Sequence, residues 1–272
     1  MISLVLNAWA FMRLRGMPTS TRVLFLDGAG VTQVEPLFAR VLSPARPLLY
    51  GNEEPFRSRS TCFASLTLAP PEASGPLMTH LNDAQLCGRA ALVLHFVSFV
   101  VSAFGVDGVG ADSYHGGGAD VKVIGSLSVT FVSRTDYANR SIARQLVNEA
   151  ELASAWAQLG HFRVRRAQFE LLPFDAQLRL VRDTDVLVGM HGAGMVNSLW
   201  LPRSAHVIEI FPASKRRWGY RNICQYTGCR YTQFRGGVDL PLEAKHVAAE
   251  EWIAFLRGWL LQAGLQEFLR EP

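Results

Sequence analysis

The chain has 272 residues, 49% of them hydrophobic and 18% charged, with a formal net charge of +4. That composition excludes a disordered chain and supplies core for one large domain or two small ones. The basic excess suits a phosphate-bearing ligand, but it is too weak for a nucleic-acid-binding surface, and no run of like charge forms an arm. In chain order, MISLVLNAWAFMRLRG (1–16) is apolar but has no basic residue before it, so it makes a poor signal peptide. RVLFLD (22–27) predicts a strand. Residues 34–42 predict a helix with Pro36 in its first turn, 61–68 a strand, and 69–79 a loop. AALVLHFVSFVVSAFGV (90–106) is short for a membrane span and contains His95, so it reads as a buried helix. GVDGVGADSYHGGGAD (105–120) is rich in glycine and aspartate and reads as a linker or loop.

The second half is more regular. LSVTFVS (127–133) predicts a strand. Asn148 is a candidate cap for a helix beginning at Glu149, with Glu151 three residues on, and Gly160 ends it. A strand follows at 162–169, a helix at 175–182 and a strand at 186–190. Then come a glycine turn, a short helix, a strand at 206–211, a helix at 220–226 stopped by Gly228, a strand at 230–234 and an amphipathic helix at 250–263. Strands alternating with helices imply an α/β fold with a parallel sheet and crossover connections.

Three motifs fail on inspection. Asp183-Thr184-Asp185 is a DxD, a metal-binding signature in one glycosyltransferase architecture, but here it lies where a helix ends and a buried strand begins. His115-Gly116-Gly117-Gly118 resembles a lipase oxyanion loop, yet the chain has no GxSxG nucleophile elbow. Gly192-Ala193-Gly194 is not a dinucleotide fingerprint, because Asn197 stands at its third glycine position. Cys62, Cys87, Cys224 and Cys229 lack zinc-site spacing, and two disulfides or four thiols are both open.

The informative stretch is DVLVGMHGAGMVNSLWLPRSAHVIEIFP (185–212). A buried strand enters the turn His191–Gly194, whose backbone N–H groups suit a nucleotide phosphate. Packing closeness alone explains Gly192 and Gly194, but not a polar His191 at the carboxyl edge of a strand. Arg134 follows the strand LSVTFVS, and its forked donors suit a diphosphate. Glu209 sits in an apolar strand, where a carboxylate needs partners: ribose hydroxyls, a buried arginine or backbone donors. Tyr220 and Asn222 open the next helix. Asn139-Arg140-Ser141 is a glycosylation sequon.

VTFVSR (129–134), NRSIARQLVNEAEL (139–152), FELLPFDAQLRLVRDTDVLVGMHGAGMVNSLWLP (169–202), VIEIFP (207–212) and YRNICQYTGCRY (220–231) together resemble glycosyltransferase family 61, in its order and spacing. The resemblance implies a GT-B-like fold of two Rossmann-like domains and an inverting transfer from a UDP-sugar to a protein or glycan hydroxyl. The sugar would be N-acetylglucosamine or a pentose. It implies no metal cofactor and residence in the secretory pathway (Golgi or ER lumen), with membrane association only through an anchor outside this chain. Residue by residue, Arg134 would hold the diphosphate. His191, Gly192, Ala193 and Gly194 match the family's HGAG turn, Asn197 the asparagine of the following helix, Glu209 the glutamate of the IE(I/L)xP strand, and Tyr220 and Asn222 its Y-x-N pair, all on the donor side. The expected division is 1–104 as a shortened acceptor-side domain, 105–120 as linker and 121–272 as the donor domain. The short first half leaves an alternative, a non-catalytic nucleotide- or glycan-binding remnant. No catalytic base is identified; Asp27, Glu35, Glu53 and Glu54 are acidic candidates in the first half.

Overall fold

The computed structural model describes residues 1–18, 20–26, 33–69, 75–79, 81–85, 88–107, 125–137, 139 and 141–270. Its elements are α1 (Ile2–Leu14), β1 (Leu24–Phe25), α2 (Glu35–Leu42), β2 (Leu49–Tyr50), α3 (Pro76–Thr79) and α4 (Ala91–Ala103) in the first half. The second half holds β3 (Leu127–Val132), α5 (Glu149–Leu159), β4 (Phe162–Ala167), α6 (Phe174–Arg182), β5 (Val186–Met190), β6 (His206–Ile210), α7 (Gly219–Thr227), β7 (Arg230–Phe234), β8 (Val238–Asp239), β9 (Lys245–His246) and α8 (Ala249–Ala263). A 3-10 helix at Ala193–Trp200 joins β5 to β6.

Five strands form one parallel sheet in the order β4-β3-β5-β6-β7. Central strands β3, β5 and β6 are buried throughout, as apolar strands covered on both faces must be. Edge strand β4 (FRVRRA) carries three arginines, and charge on an edge strand discourages a further strand from adding. On one face lie α5 and α8, whose Trp156, Trp252 and Trp259 close a core over Val129, Phe131, Val188 and Ile208. The other face carries α6, the 3-10 helix and α7.

The first half completes that second core. Val5, Leu6, Trp9, Leu37, Val93, Phe96 and Val100 belong to the same cluster as Leu187, Trp200, Val207 and Ile223. Trp9 packs on Phe96, and Phe96 on Trp200 at 5.9 Å between ring centroids. The 90–106 run is therefore a buried helix, and no helix among the described residues is long and apolar enough to cross a membrane.

Several expectations change here. The N-terminal segment, given no element from sequence, forms the helix Ile2–Leu14, because Val5, Leu6 and Trp9 have a core to enter. The strand expected at 22–27 shrinks to a two-residue parallel pairing with β2, with Asp27 outside the described residues. The 61–68 strand is absent. That segment has no neighbour to pair with, and Phe63, Leu66 and Leu68 stand exposed. Among the described residues, then, the first half shows only the two-stranded β1–β2 pair where a Rossmann-like sheet was expected. Most of the 105–120 linker, with the His115–Gly118 motif, lies outside the described residues. Asn148 precedes α5 but makes no cap hydrogen bond. Its amide instead pairs like a peptide group with Val247, donating to the carbonyl at 2.7 Å and accepting from the N–H at 3.3 Å, and it reaches Glu151 at 2.8 Å.

Candidate functional site

In open parallel sheets ligands bind beyond the carboxyl ends of the strands, where successive crossovers leave for opposite faces. Here that point lies between β3 and β5. The chain leaves β3 through α5 on one face and leaves β5 through the 3-10 helix on the other. Arg134 lies just past the end of β3, and the His191–Gly194 turn just past the end of β5.

The two touch. A Cβ on Gly192 would fall 2.1 Å from Arg134 Nη1 and 2.6 Å from Cζ, so the guanidinium lies against the bare glycine backbone. Gly192 has an extended φ of 172°, so its need for glycine is space, not conformation. Gly194 serves packing: its Cβ would fall 2.6 Å from Val132 Cγ1. Arg134 donates through Nε and Nη2 to the carbonyl of Ala143, at 3.3 and 3.0 Å. Among the described residues it has no carboxylate within ion-pair distance. Burial draws its pKa below the ordinary arginine value, and the charge of Arg144 adds to that; Glu170 acts in the other direction.

His191 is fixed on three sides. Its Nδ1 lies 2.6 Å from Glu209 Oε1. Its ring stacks on Phe211, with centroids 4.9 Å apart and planes 17° apart, and leans on Tyr220 at 5.7 Å. Glu209 is 1% exposed, and its second oxygen accepts from the Tyr231 hydroxyl at 2.5 Å. Burial raises the Tyr231 pKa, and the Glu209 carboxylate raises it further. Among the described residues Glu209 thus meets neither a buried arginine nor backbone donors. It sits behind His191 with both oxygens engaged. Tyr220 donates to the Gly192 carbonyl at 2.6 Å, and burial, followed by Glu209, pushes its hydroxyl up to about 12.

The remaining candidates hold the frame. Ala193 is exposed at the start of the 3-10 helix. Asn197 is buried and donates to the Gly194 carbonyl at 3.1 Å, bracing the turn. Asn222 is not brought to the turn. Fully buried, it donates to the carbonyls of Leu81 and Asp83, both at 2.9 Å, and fastens a first-half segment onto α7. Arg221 reinforces that joint by donating to the carbonyls of Asp83 and Ala84.

Sequence reasoning missed Arg144 and Tyr231. Arg144 holds a left-handed φ of 62°, a costly conformation for a side chain of its size. Its Nε is buried without a hydrogen-bond partner, 3.9 Å from a Glu243 that Lys215 already holds at 2.8 Å. The signal available in sequence was a further arginine in the loop after β3. Tyr231 lies two positions before Gln233, the residue paired with Glu209, so the strand register could have flagged it.

The DxD residues lie at the opposite edge of the sheet. Asp183 pairs with Arg163 and Arg165, Thr184 with Thr130, and Asp185 accepts from the Ser128 N–H. The polar helix-end reading holds. Cys224 and Cys229 form a disulfide joining α7 to β7; Cys62 is free and exposed, and Cys87 is outside the described residues.

Residues 28–208 match the family Glycosyltransferase 61. An EGF domain-specific O-linked N-acetylglucosamine transferase from Drosophila melanogaster is 35% identical over 105 residues, 39% of this chain and 19% of that protein. A protein O-linked-mannose beta-1,4-N-acetylglucosaminyltransferase 2 from Danio rerio is 37% identical over 112 residues, 41% of this chain and 18% of that protein. Its Bos taurus counterpart is 27% identical over 202 residues, 72% of this chain and 32% of that protein. The chain therefore spans only between 18% and 32% of the length of these three relatives.

Proposed function

This chain belongs to glycosyltransferase family 61, and we propose that its sheet edge binds a UDP-sugar and transfers the sugar, with inversion, to a protein or glycan hydroxyl. The observation that carries the reading is Arg134, laid over Gly192 at the switch point of the sheet with no carboxylate partner among the described residues. A half-buried guanidinium in that state is matched by a diphosphate, which takes its paired donors and its charge together. Arg144 beside it would meet the second phosphate, so the reading needs no metal. The N–H groups of Gly192, Ala193 and Gly194, and Tyr220 behind the turn, would line the same edge, the His191 N–H being held by the Ile210 carbonyl.

N-acetylglucosamine is the favoured sugar, because the relatives carry it in their names; a pentose is the second choice. A GT-B-like enzyme would place the acceptor opposite this edge, and the segment 81–84 held by Asn222 and Arg221 is where the first half approaches α7. Residence in the secretory pathway fits the Cys224–Cys229 disulfide, which forms and persists in oxidising compartments.

The test is calorimetric titration of UDP into the full chain beside Arg134→Ala. Wild type should bind with a Kd between about 1 μM and 1 mM, and the variant at least about tenfold more weakly, a loss of about 1.4 kcal/mol. A folded wild type that binds no UDP would falsify the reading. Binding without sugar release from any UDP-sugar would instead identify a non-catalytic remnant.

A further inference from the structure

Inverting transfer needs a group that takes the proton of the attacking hydroxyl. Glu53 and Glu54 lie on an exposed turn, Glu54 occupied by Ser58, and Glu35 opens α2. The His191 cluster has the required build. A carboxylate that is 1% exposed, facing Nδ1 at 2.6 Å, keeps the proton on Nδ1. The outer nitrogen of a neutral imidazole held that way carries a lone pair. Nε2 takes no hydrogen bond from the described residues, and the His191 side chain is 13% exposed. The ring stacks on Phe211 and is tilted against Tyr220, neither of which engages Nε2 by a hydrogen bond. Tyr231 holds the far oxygen of Glu209, so the carboxylate cannot swing away.

We propose that His191 is the general base of the transfer, with Glu209 and Tyr231 as its positioning residues. This rests on the UDP-sugar reading above. The acceptor hydroxyl gives its proton to Nε2 while its oxygen bonds to the anomeric carbon. The bond from that carbon to the β-phosphate oxygen breaks, and its electron pair leaves on the diphosphate held by Arg134. Glu209 steadies the imidazolium that forms, which then releases its proton to solvent. A lone pair is a poor partner for a phosphate oxygen, and two arginines already supply donors there, so His191 is assigned to the acceptor and not to the leaving group.

Three measurements on the full chain test this. In UDP titrations His191→Ala should bind close to wild type while Arg134→Ala weakens at least about tenfold. His191→Ala weakening as much as Arg134→Ala would place the imidazole on the diphosphate and overturn the proposal. Long-range 1H–15N NMR of the free protein should find the His191 proton on Nδ1, and on a mixture of nitrogens in Glu209→Gln, because an amide can face Nδ1 with either donor or acceptor. A proton on Nε2 in wild type overturns the proposal whether or not UDP binds. UDP release from UDP-N-acetylglucosamine or UDP-xylose, with water as acceptor, should fall at least about a hundredfold in His191→Ala. In Glu209→Gln kcat should fall at least about tenfold with the donor KM unchanged, and Tyr231→Phe should show a smaller loss of the same kind. Equal release by wild type and His191→Ala, or none by a wild type that binds UDP, sinks it.

Discussion

The two edges of the central sheet treat charge differently. At the amino edge every acid described here has a partner: Asp183 meets Arg163 at 3.0 Å and Arg165 at 2.8 Å, and Asp185 accepts from Ser128 at 2.8 Å. At the carboxyl edge Arg166 meets Glu149 at 2.6 Å, but among the described residues Arg134 has only a carbonyl, and Arg144 only a loose approach to an acid already held by Lys215. The same residue types thus do different work at the two ends of the same strands. Charge satisfied within the chain holds the sheet together, and charge left over asks for a ligand. The amino edge should therefore respond to perturbation in stability and the carboxyl edge in binding.

The largest expected effect belongs to the amino edge. His206 opens β6, 7% exposed, edge-on to Trp259 at 5.3 Å, beside a cavity of about 100 Å³ lined by Asp185 and Arg230. Burial, helped by Arg230, depresses its pKa to about 4 from an ordinary 6.5. A depressed histidine is neutral when folded and protonates when unfolded. Its contribution is therefore fully present above pH 6.5 and lost as pH falls from 6.5 toward 4. The full window is on the order of 3 kcal/mol. Burial raises the Asp185 carboxyl, which offsets part of this in the opposite sense. Comparing denaturant midpoints of wild type and His206→Phe across that window isolates the histidine. Parallel pH profiles would refute its burial, and UDP affinity should not follow the substitution.

Next comes Thr184, fully buried at the same edge. It shares a hydrogen bond with Thr130 at 2.8 Å, donates to the Leu180 carbonyl at 2.7 Å and accepts from Arg165 at 3.1 Å. Thr184→Val leaves Thr130 and the arginine short of a partner and should cost about 2 kcal/mol in chemical denaturation. UDP affinity should stay at the wild-type value. A loss of binding without a loss of stability would show that the two edges are coupled, contrary to the contrast drawn here.

Sequence legibility follows the same division. Strands β5 and β7 have the bounds read from sequence, because each is an apolar or alternating run bounded by turn chemistry, such as Gly228, with its φ of 94°, ahead of β7. The first half was harder. α1 and α4 are apolar around much of their circumference, so period alone could not say what they pack on, and the 61–68 run has strand composition but no partner. Within the site, Arg134, His191 and the glycine turn were legible because strand ends in a parallel sheet define an edge. The roles of Glu209 and Asn222 were not. Both are buried polar residues whose partners, Tyr231 in one case and the carbonyls of Leu81 and Asp83 in the other, are fixed only by tertiary structure.

The smallest effect gives the sharpest version of the contrast, because it sets apart two glycines two positions apart. Gly192 is extended, so alanine adopts its backbone without strain, but the new methyl would fall on the guanidinium of Arg134. That atom is the far end of a flexible side chain, so the arginine moves and the backbone stays. Gly192→Ala should therefore leave the melting temperature unchanged and weaken UDP by several-fold, about 1 kcal/mol, short of the loss in Arg134→Ala because the charge remains nearby. Gly194→Ala should do the reverse. Its methyl would fall on Val132, a buried side chain with no room to turn, so stability drops and the guanidinium is undisturbed. The pair is read by calorimetry and thermal unfolding side by side. If both alanines lower stability and neither changes UDP binding, Gly192 serves only to pack the turn, and Arg134 is not held where the diphosphate reading requires it.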